Sequence, residues 1–268
     1  MKPSNPINWP HKDYPNAWMA FRRASHENTV IANWVFSQTH WPKKDALKLT
    51  DIGCGDGKVI GEILTKHLEL KKTVASVFLI EPYKPTLEAA KEDIQQINRS
   101  IQIELYAGNL KEAIQAYPDR LFSVDAILCI HVVYLIERDE FANLLEKLPR
   151  HVPLYVAFDE PRSVFSQLWK ETAKPYLDCV IDAHNTISTL PMDKYQVTKT
   201  SLVSEFNRNL VEPNNPQAAL LISMLCYKDN VDISESSQFG KYFKKVVDDN
   251  TINGNVQCRF TGYQIIKK

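Results

Sequence analysis

Apolar and polar positions along this chain fall into blocks of two periods. Leu49-Thr50-Asp51-Ile52 is a short apolar run, and Val59, Ile60, Ile63 and Leu64 follow at helical spacing. Thr73–Ile80 reads as a buried strand and Thr86–Ile97 as the helix after it, with Pro82 and Pro85 closing the turn between them. Ile101–Tyr106 alternates as a strand and leads into a helix ending near Tyr117. Phe122–Ile130 and Leu154–Phe158 are continuous apolar runs, the signature of strands covered on both faces, with a helix over Arg138–Leu148 between them. A helix from Ser163 to about Ala173 follows. The remainder holds a helix near Pro216–Tyr227, with Pro216 suited to its first turn, and two late strands, Gln196–Phe206 and Val256–Ile266. Such alternation predicts an α/β fold, a doubly wound seven-stranded sheet with cover elements. There is no repeat, low-complexity tract or linker, so residues 1–268 read as one domain. Within it, 46–160 would be the ligand-binding core, 1–45 a covering segment, and 161–268 the pocket elements and closing strands.

The chemistry concentrates where the first strand ends. Asp51-Ile52-Gly53-Cys54-Gly55-Asp56-Gly57 is a G-x-G-x-G turn between a strand and a helix start. Glycines allow a sharp turn and a close approach to a ligand, and free N–H groups at the helix start face it. A dinucleotide loop would carry its third glycine where Lys58 stands. The earlier third glycine, with Asp51 two residues before the first, resembles the S-adenosylmethionine (SAM) loop of Rossmann-like, class I methyltransferases. Cys54 lies in that loop, where a small side chain suffices. Glu81 ends the second strand, placed to accept both hydroxyls of a ribose through its two oxygens, with Pro82 beside it. The bland alternative for Glu81 is a solvated loop acid. Gly108, Asn109 and Leu110 at the third strand's tip are candidates for the adenine, and Ile130, His131 and Tyr134 at the fourth for the methyl group and acceptor. His131 reads equally well as a packed histidine at a strand end.

Charge and cysteine usage narrow the class. Lys+Arg and Asp+Glu both count 32, a net charge of zero that argues against nucleic acid as a partner. No window approaches a membrane span, and MKPSNPINWPHKDY is no signal peptide. Five scattered cysteines without a C-x-x-C pair read as reduced thiols of a cytoplasmic protein. The acids show no metal-ligand cluster, and a monomer is the expectation for this architecture.

Over most of its length the chain resembles one family, the histamine N-methyltransferases. Asp13-Tyr14, Trp18, Phe21 and Ser25-His26-Glu27 look like that family's N-terminal helix, which lids the active site. The likeness continues through Asp51–Leu64, Glu81-Pro82, Ile130–Tyr134, Gln167–Lys170, Leu220-Leu221 and Phe260–Ile266. The resemblance implies that Glu27 is the acidic substrate contact. It implies that Tyr14, Trp18, Phe21, Phe165, Trp169 and Tyr176 form an aromatic cage around an amine, and that Gly55 and Ile130 touch the cofactor. The alternative for the aromatics is ordinary core, since Trp18 and Phe21 share one helix face; the chemical case for a cage is that aromatic faces plus a carboxylate hold a cationic amine. Two positions depart from the family: His131 stands where it has glutamine, and Arg259 where it has asparagine. An arginine there could pair with a carboxylate, which suggests an acceptor bearing an acidic group as well as its amine.

These readings give a SAM-dependent methyltransferase acting on a nitrogen of a small amine or imidazole, without a metal. Glu27 and the cage would position the acceptor, and His131 could take its proton. Two alternatives remain: a methyltransferase for a protein or other large acceptor, and a non-catalytic SAM-binding module.

Overall fold

Four apolar strands pair side by side in the sheet, and a fifth, alternating one forms its edge. They are β1 (Ala46–Ile52), β2 (Thr73–Ile80), β3 (Gln102–Tyr106), β4 (Ala126–Ile130) and β5 (Leu154–Asp159). The computed structural model describes residues 14–268, and in it the sheet runs β3-β2-β1-β4-β5-β8-β6, with β6 at Tyr195–Asn207 and β8 at Asn255–Lys267. The pairs β1–β2, β2–β3, β1–β4 and β4–β5 are all parallel. A two-residue strand, β7 (Thr251–Ile252), pairs antiparallel with β8 and makes eight strands where seven were expected. Chain order reverses between β1 and β4. That reversal opens the crevice at the strands' carboxyl ends where ligands of such sheets bind.

Two compact units divide the described chain. One holds residues 28–158, 183–200 and 261–268; the other holds residues up to Glu27, Asp159–Asp182 and Ser201–Phe260. Of the described residues of the 1–45 segment, those up to Glu27 belong to one unit and those from Asn28 to the other.

In the sheet unit, α3 (Lys58–Glu69) buries Val59, Ile60, Ile63, Leu64 and His67 along one stripe, as its periodicity predicts. α4 (Lys84–Ile97) starts two residues earlier than expected, with Pro85 inside its first turn, where a missing N–H costs nothing. Phe122–Asp125 is not strand: Pro118 opens a short helix, α6 (Pro118–Phe122), and β4 starts only at Ala126. α5 (Leu110–Ala116) and α7 (Arg138–Lys147) fall where the pattern put them. Helix α2 (Glu27–Ser37) was not legible as such; it sends Trp34 against Tyr155 of β5, ring centroids 5.8 Å apart and nearly perpendicular. Tyr155 in turn receives a hydrogen bond from Gln264 of β8 at 3.1 Å.

Gly262 sits beneath that indole. A Cβ there would lie 2.5 Å from Cε2 and 2.6 Å from Cζ2 of Trp34. The ring is already packed on Tyr155 and is not a flexible tip. Overpacking of this kind costs roughly 1–3 kcal/mol, so Gly262→Ala should lower the melting temperature by about 5 °C for a chain of this size. An unchanged melt would mean the indole moves aside.

In the other unit, α1 (Tyr14–Ala24) packs on α10 (Ala218–Cys226), and α10 and α11 (Gln238–Asp249) both pack on α8 (Val164–Thr172). α10 is apolar all round, which explains why it is almost wholly buried. It begins at Ala218, so Pro216 lies in the preceding turn instead of the first helical turn. Ser163 caps α8 by accepting a 3.0 Å bond from the N–H of Ser166, and Tyr242 donates to Gln167 O at 2.6 Å to fix α11 against it. Helices α9 (Lys174–Ser188) and α11 were not read from the sequence. All five cysteines are free thiols. Among the described residues no helix is long and apolar enough to cross a membrane, and no group of His, Cys, Asp and Glu could hold a metal ion.

Candidate active site

The turn after β1 is built by three left-handed glycines, with φ of +67° at Gly53, +54° at Gly55 and +76° at Gly57. Each answers a different demand. A Cβ on Gly53 would stand 2.6 Å from Cγ2 of Val132, so the chain just beyond β4 closes over that position. A Cβ on Gly57 would meet Cβ of Ala90 in α4 at 2.8 Å, so this glycine lets α3 and α4 approach. Around Gly55 nothing lies within 4 Å of where a Cβ would be. That open space beside bare backbone is what a ligand lying along the loop needs. The N–H groups of Gly53 and Cys54 donate to Ile80 O at 2.8 and 3.2 Å, tying the loop to the end of β2.

Glu81, the next residue, completes the tie. Its Oε2 accepts from Gly55 N at 3.2 Å and its Oε1 from Tyr83 N at 3.0 Å. Each carboxylate oxygen has a second lone pair, so both remain able to accept a hydroxyl. Burial pushes the Glu81 carboxyl above the usual carboxylate range, and the N–H groups of Tyr83 and Gly55 pull it back. A half-buried carboxylate that is short of donors at neutral pH suits a diol. Asp51, Cys54 and Leu110 are buried, Pro82 is exposed, and Ile130 ends β4 buried. Asn109 is exposed and caps α5: its side-chain oxygen takes Glu112 N at 2.9 Å, and Glu112 returns a bond to the Asn109 N–H. Its amide nitrogen takes no part in that box.

At the tip of β4, His131 adopts a left-handed φ of +53°, and its N–H donates to Ala157 O at 2.7 Å. A β4 tip turned this way carries the chain into the 3-10 turn Val133–Leu135. Strained non-glycine backbone of this kind collects at functional sites. Tyr134, half-buried, packs 6.3 Å from Phe158 at the end of β5. The sheet unit therefore gathers the glycine loop, Glu81 and the His131 tip around the β1/β4 reversal.

The other unit gathers the aromatic set. Trp18 lies 6.2 Å from Phe21; Phe21 is 5.1 Å from Phe165, and Phe165 is 6.0 Å from Trp169. Trp169 reaches Tyr176 at 6.5 Å. Two members have no counterpart in the sequence reading. Phe206 of β6 lies 6.1 Å from Phe21, and Tyr227 lies 4.1 Å from Tyr176 and 6.0 Å from Trp169. Tyr227 gets there because it ends α10 in the left-handed region, φ +50°. Tyr14 opens α1, but its side chain lies outside the described residues, as does Asp13.

Two carboxylates are buried in the same unit, Glu27 at 3% exposure and Asp159 at 6%. Burial pushes the Cys258 thiol well above its ordinary range, and the charges of Glu27 and then Asp159 push it further. Glu27 is the first residue of α2, where a helix favours a negative charge. Asp159 was missed, although it closes the apolar run of β5 as Glu81 closes that of β2. Arg259 is not part of this group. β8 buries Val256, Cys258 and Phe260 on one face, and its alternation turns the exposed Arg259 to the other.

Comparison with known proteins agrees with the geometry. Residues 50–152, from the end of β1 to just before β5, match the family model described as Methyltransferase domain. No curated protein matches. Among solved structures, the plantazolicin methyltransferase BpumL, in complex with a pentazolic desmethylPZN analog and SAH, superposes with a TM-score of 0.53 at 14% identity, covering 96% of this chain and 92% of that one. A Bacillus halodurans C-125 protein, described only provisionally as a methyltransferase, gives 0.52 at 11%, covering 95% and 99%. Likeness at such identity shows the fold. The comparisons support the methyltransferase class and lend no support to the narrower resemblance to histamine N-methyltransferases.

Proposed function

We propose that this chain, a SAM-dependent methyltransferase of class I, transfers its methyl group to the nitrogen of a small amine. The observation that supports the acceptor class is the burial of two carboxylates, Glu27 and Asp159, in the unit that also holds the aromatic run from Trp18 to Tyr227. Buried carboxylates and aromatic faces together are the composition that binds an ammonium group.

Gly53, Gly55, Gly57 and Glu81 would hold the adenosyl group, by open backbone and by ribose hydrogen bonds. SAM, once bound, supplies a methyl group already activated on a sulfonium. What remains for the protein is to present a nitrogen lone pair in line with it, in a closed, dry site. Glu27 and Asp159 favour the ammonium form and so serve binding. Aromatic burial works the other way, lowering the amine's pKa and releasing the lone pair. His131, whose backbone N–H bonds Ala157 O at the tip of β4, would accept the proton. Arg259 has no role in this reading.

The test is a panel of matched acceptors in which one skeleton carries an amine, a hydroxyl or a thiol, each assayed for SAM-dependent release of adenosylhomocysteine. Turnover of the amines alone is the expected result. Turnover of hydroxyls in preference would overturn the acceptor class. Adenosyl binding without turnover of any small molecule would favour a large acceptor, such as a peptide, or a SAM-binding module.

A further inference from the structure

Helix α8 carries two hydrogen-bond donors that the protein leaves unused. The indole N–H of Trp169 and the hydroxyl of Ser166 are buried, their residues 3% and 0% exposed, and neither has a hydrogen-bond partner. They lie three positions apart and so on one face of the helix. The same indole sits at the centre of the aromatic run, with Phe165, Tyr176 and Tyr227 around it at 6.0 to 6.5 Å. Buried donors are nearly always satisfied in folded proteins, and an orphan points to an acceptor the protein does not itself supply. Two orphans on one helix face, one of them on an indole ringed by aromatics, match what an oxygen with two lone pairs on an apolar skeleton would satisfy.

We infer that the methyl acceptor carries a carbonyl-type oxygen in addition to its amine, and that Trp169 Nε1 and Ser166 Oγ bind that oxygen. This rests on the amine reading above and narrows it. An amine without such an oxygen leaves both donors buried and unpaired in the complex. A site built for a polar group discriminates strongly against the analogue that lacks it. The inference also replaces Arg259 as the group that reads a second substituent: the two neutral donors suit an amide or ketone oxygen and ask for no full negative charge.

Matched amines provide the test: phenethylamine against phenylalaninamide, and isoamylamine against leucinamide, each differing by one carboxamide. The ratio of kcat/KM within each pair is measured with SAM for the wild type, Ser166→Ala and Trp169→Phe. The carboxamide alters the amine's own pKa equally for all three enzymes, so the change in ratio decides. Loss of one well-placed buried bond should move the ratio about tenfold toward the plain amine in each variant. Adenosylhomocysteine binding checks that each variant is folded, and if one fails that check the other decides. A ratio unchanged from wild type overturns the inference and leaves the amine reading intact. No turnover of either pair by the wild type removes the amine reading, and this inference with it.

Discussion

Glu81→Ala should weaken the binding of SAM and of adenosylhomocysteine by about 100-fold or more. Two hydroxyl-to-carboxylate bonds are lost, each worth roughly 1.5–3 kcal/mol as charge-assisted bonds. The Gly55 and Tyr83 N–H groups lose their acceptor as well, so the loop loses its tie to the end of β2. Glu81→Gln should fall between the two, because its amide keeps one acceptor oxygen and sets an NH2 group against the other N–H. Titration calorimetry measures both. The same carboxylate gives a pH dependence of known sign. Burial raises its pKa in the ligand-free protein, and only the ionised form is the full acceptor. Affinity for adenosylhomocysteine should therefore weaken as pH falls, with a midpoint above the ordinary glutamate value of about 4.3. For folding the linkage runs the other way. A raised carboxyl pKa contributes stability below the unfolded value, and that stability is lost as pH rises through the folded one. The ligand-free protein thus carries an ionised Glu81 at a cost at neutral pH, which ribose hydroxyls offset. A pH-independent affinity in Glu81→Gln, beside a falling one in the wild type, assigns the effect to this group; the same slope in both would assign it elsewhere.

Glu27→Gln is expected to lower kcat/KM for an amine acceptor by about 10- to 100-fold, with the larger share in KM. Replacing one carboxylate by a neutral amide weakens the attraction for a cationic substrate and leaves its ammonium group with one acid fewer. Asp159 remains and supplies the residual binding, so Asp159→Asn should show a loss of the same kind, and the double variant should lose more than either. Affinity for adenosylhomocysteine should be unchanged in all three. A fall in kcat with KM constant would mean that Glu27 acts in the transfer step itself and not in holding the ammonium. Full activity in both single variants would remove the acids from the acceptor site.

What could be read from the sequence was what is local. The glycine loop, its strand and its helix are contiguous, and each glycine answers a demand met within the loop or against one neighbouring element. Glu81 was legible for the same reason, as an acid ending an apolar strand. By that rule Asp159, the acid that ends the apolar run of β5, was legible too. The alternation Val256-Cys258-Phe260 already turns Arg259 outward. The aromatic set is a different matter. Trp18, Phe21, Phe165, Trp169 and Tyr176 come together only through packing across about 160 residues of chain, and they were found through a family resemblance, not through spacing. Phe206 and Tyr227 escaped because nothing in a β-strand pattern or a helix end announces which way a ring faces. The start of β4 was set four residues early, at Phe122 instead of Ala126, because Phe122 to Asp125 adjoin an apolar run and periodicity alone cannot place its start. Helix α11 was legible and missed: Phe243, Val246 and Val247 recur at helical spacing, and Lys244 with Asp248 at 3.1 Å and Lys245 with Asp249 are i,i+4 pairs on the polar face.

The most direct test of the account uses SAM with an isotopically labelled methyl group and phenylalaninamide as acceptor, followed by mass spectrometry of the product and assignment of the labelled atom. The account predicts one labelled methyl on the amine nitrogen, formed by the wild type and strongly reduced in Glu27→Gln and Glu81→Ala. Label found on oxygen, or no labelled amine despite tight adenosyl binding, would contradict it.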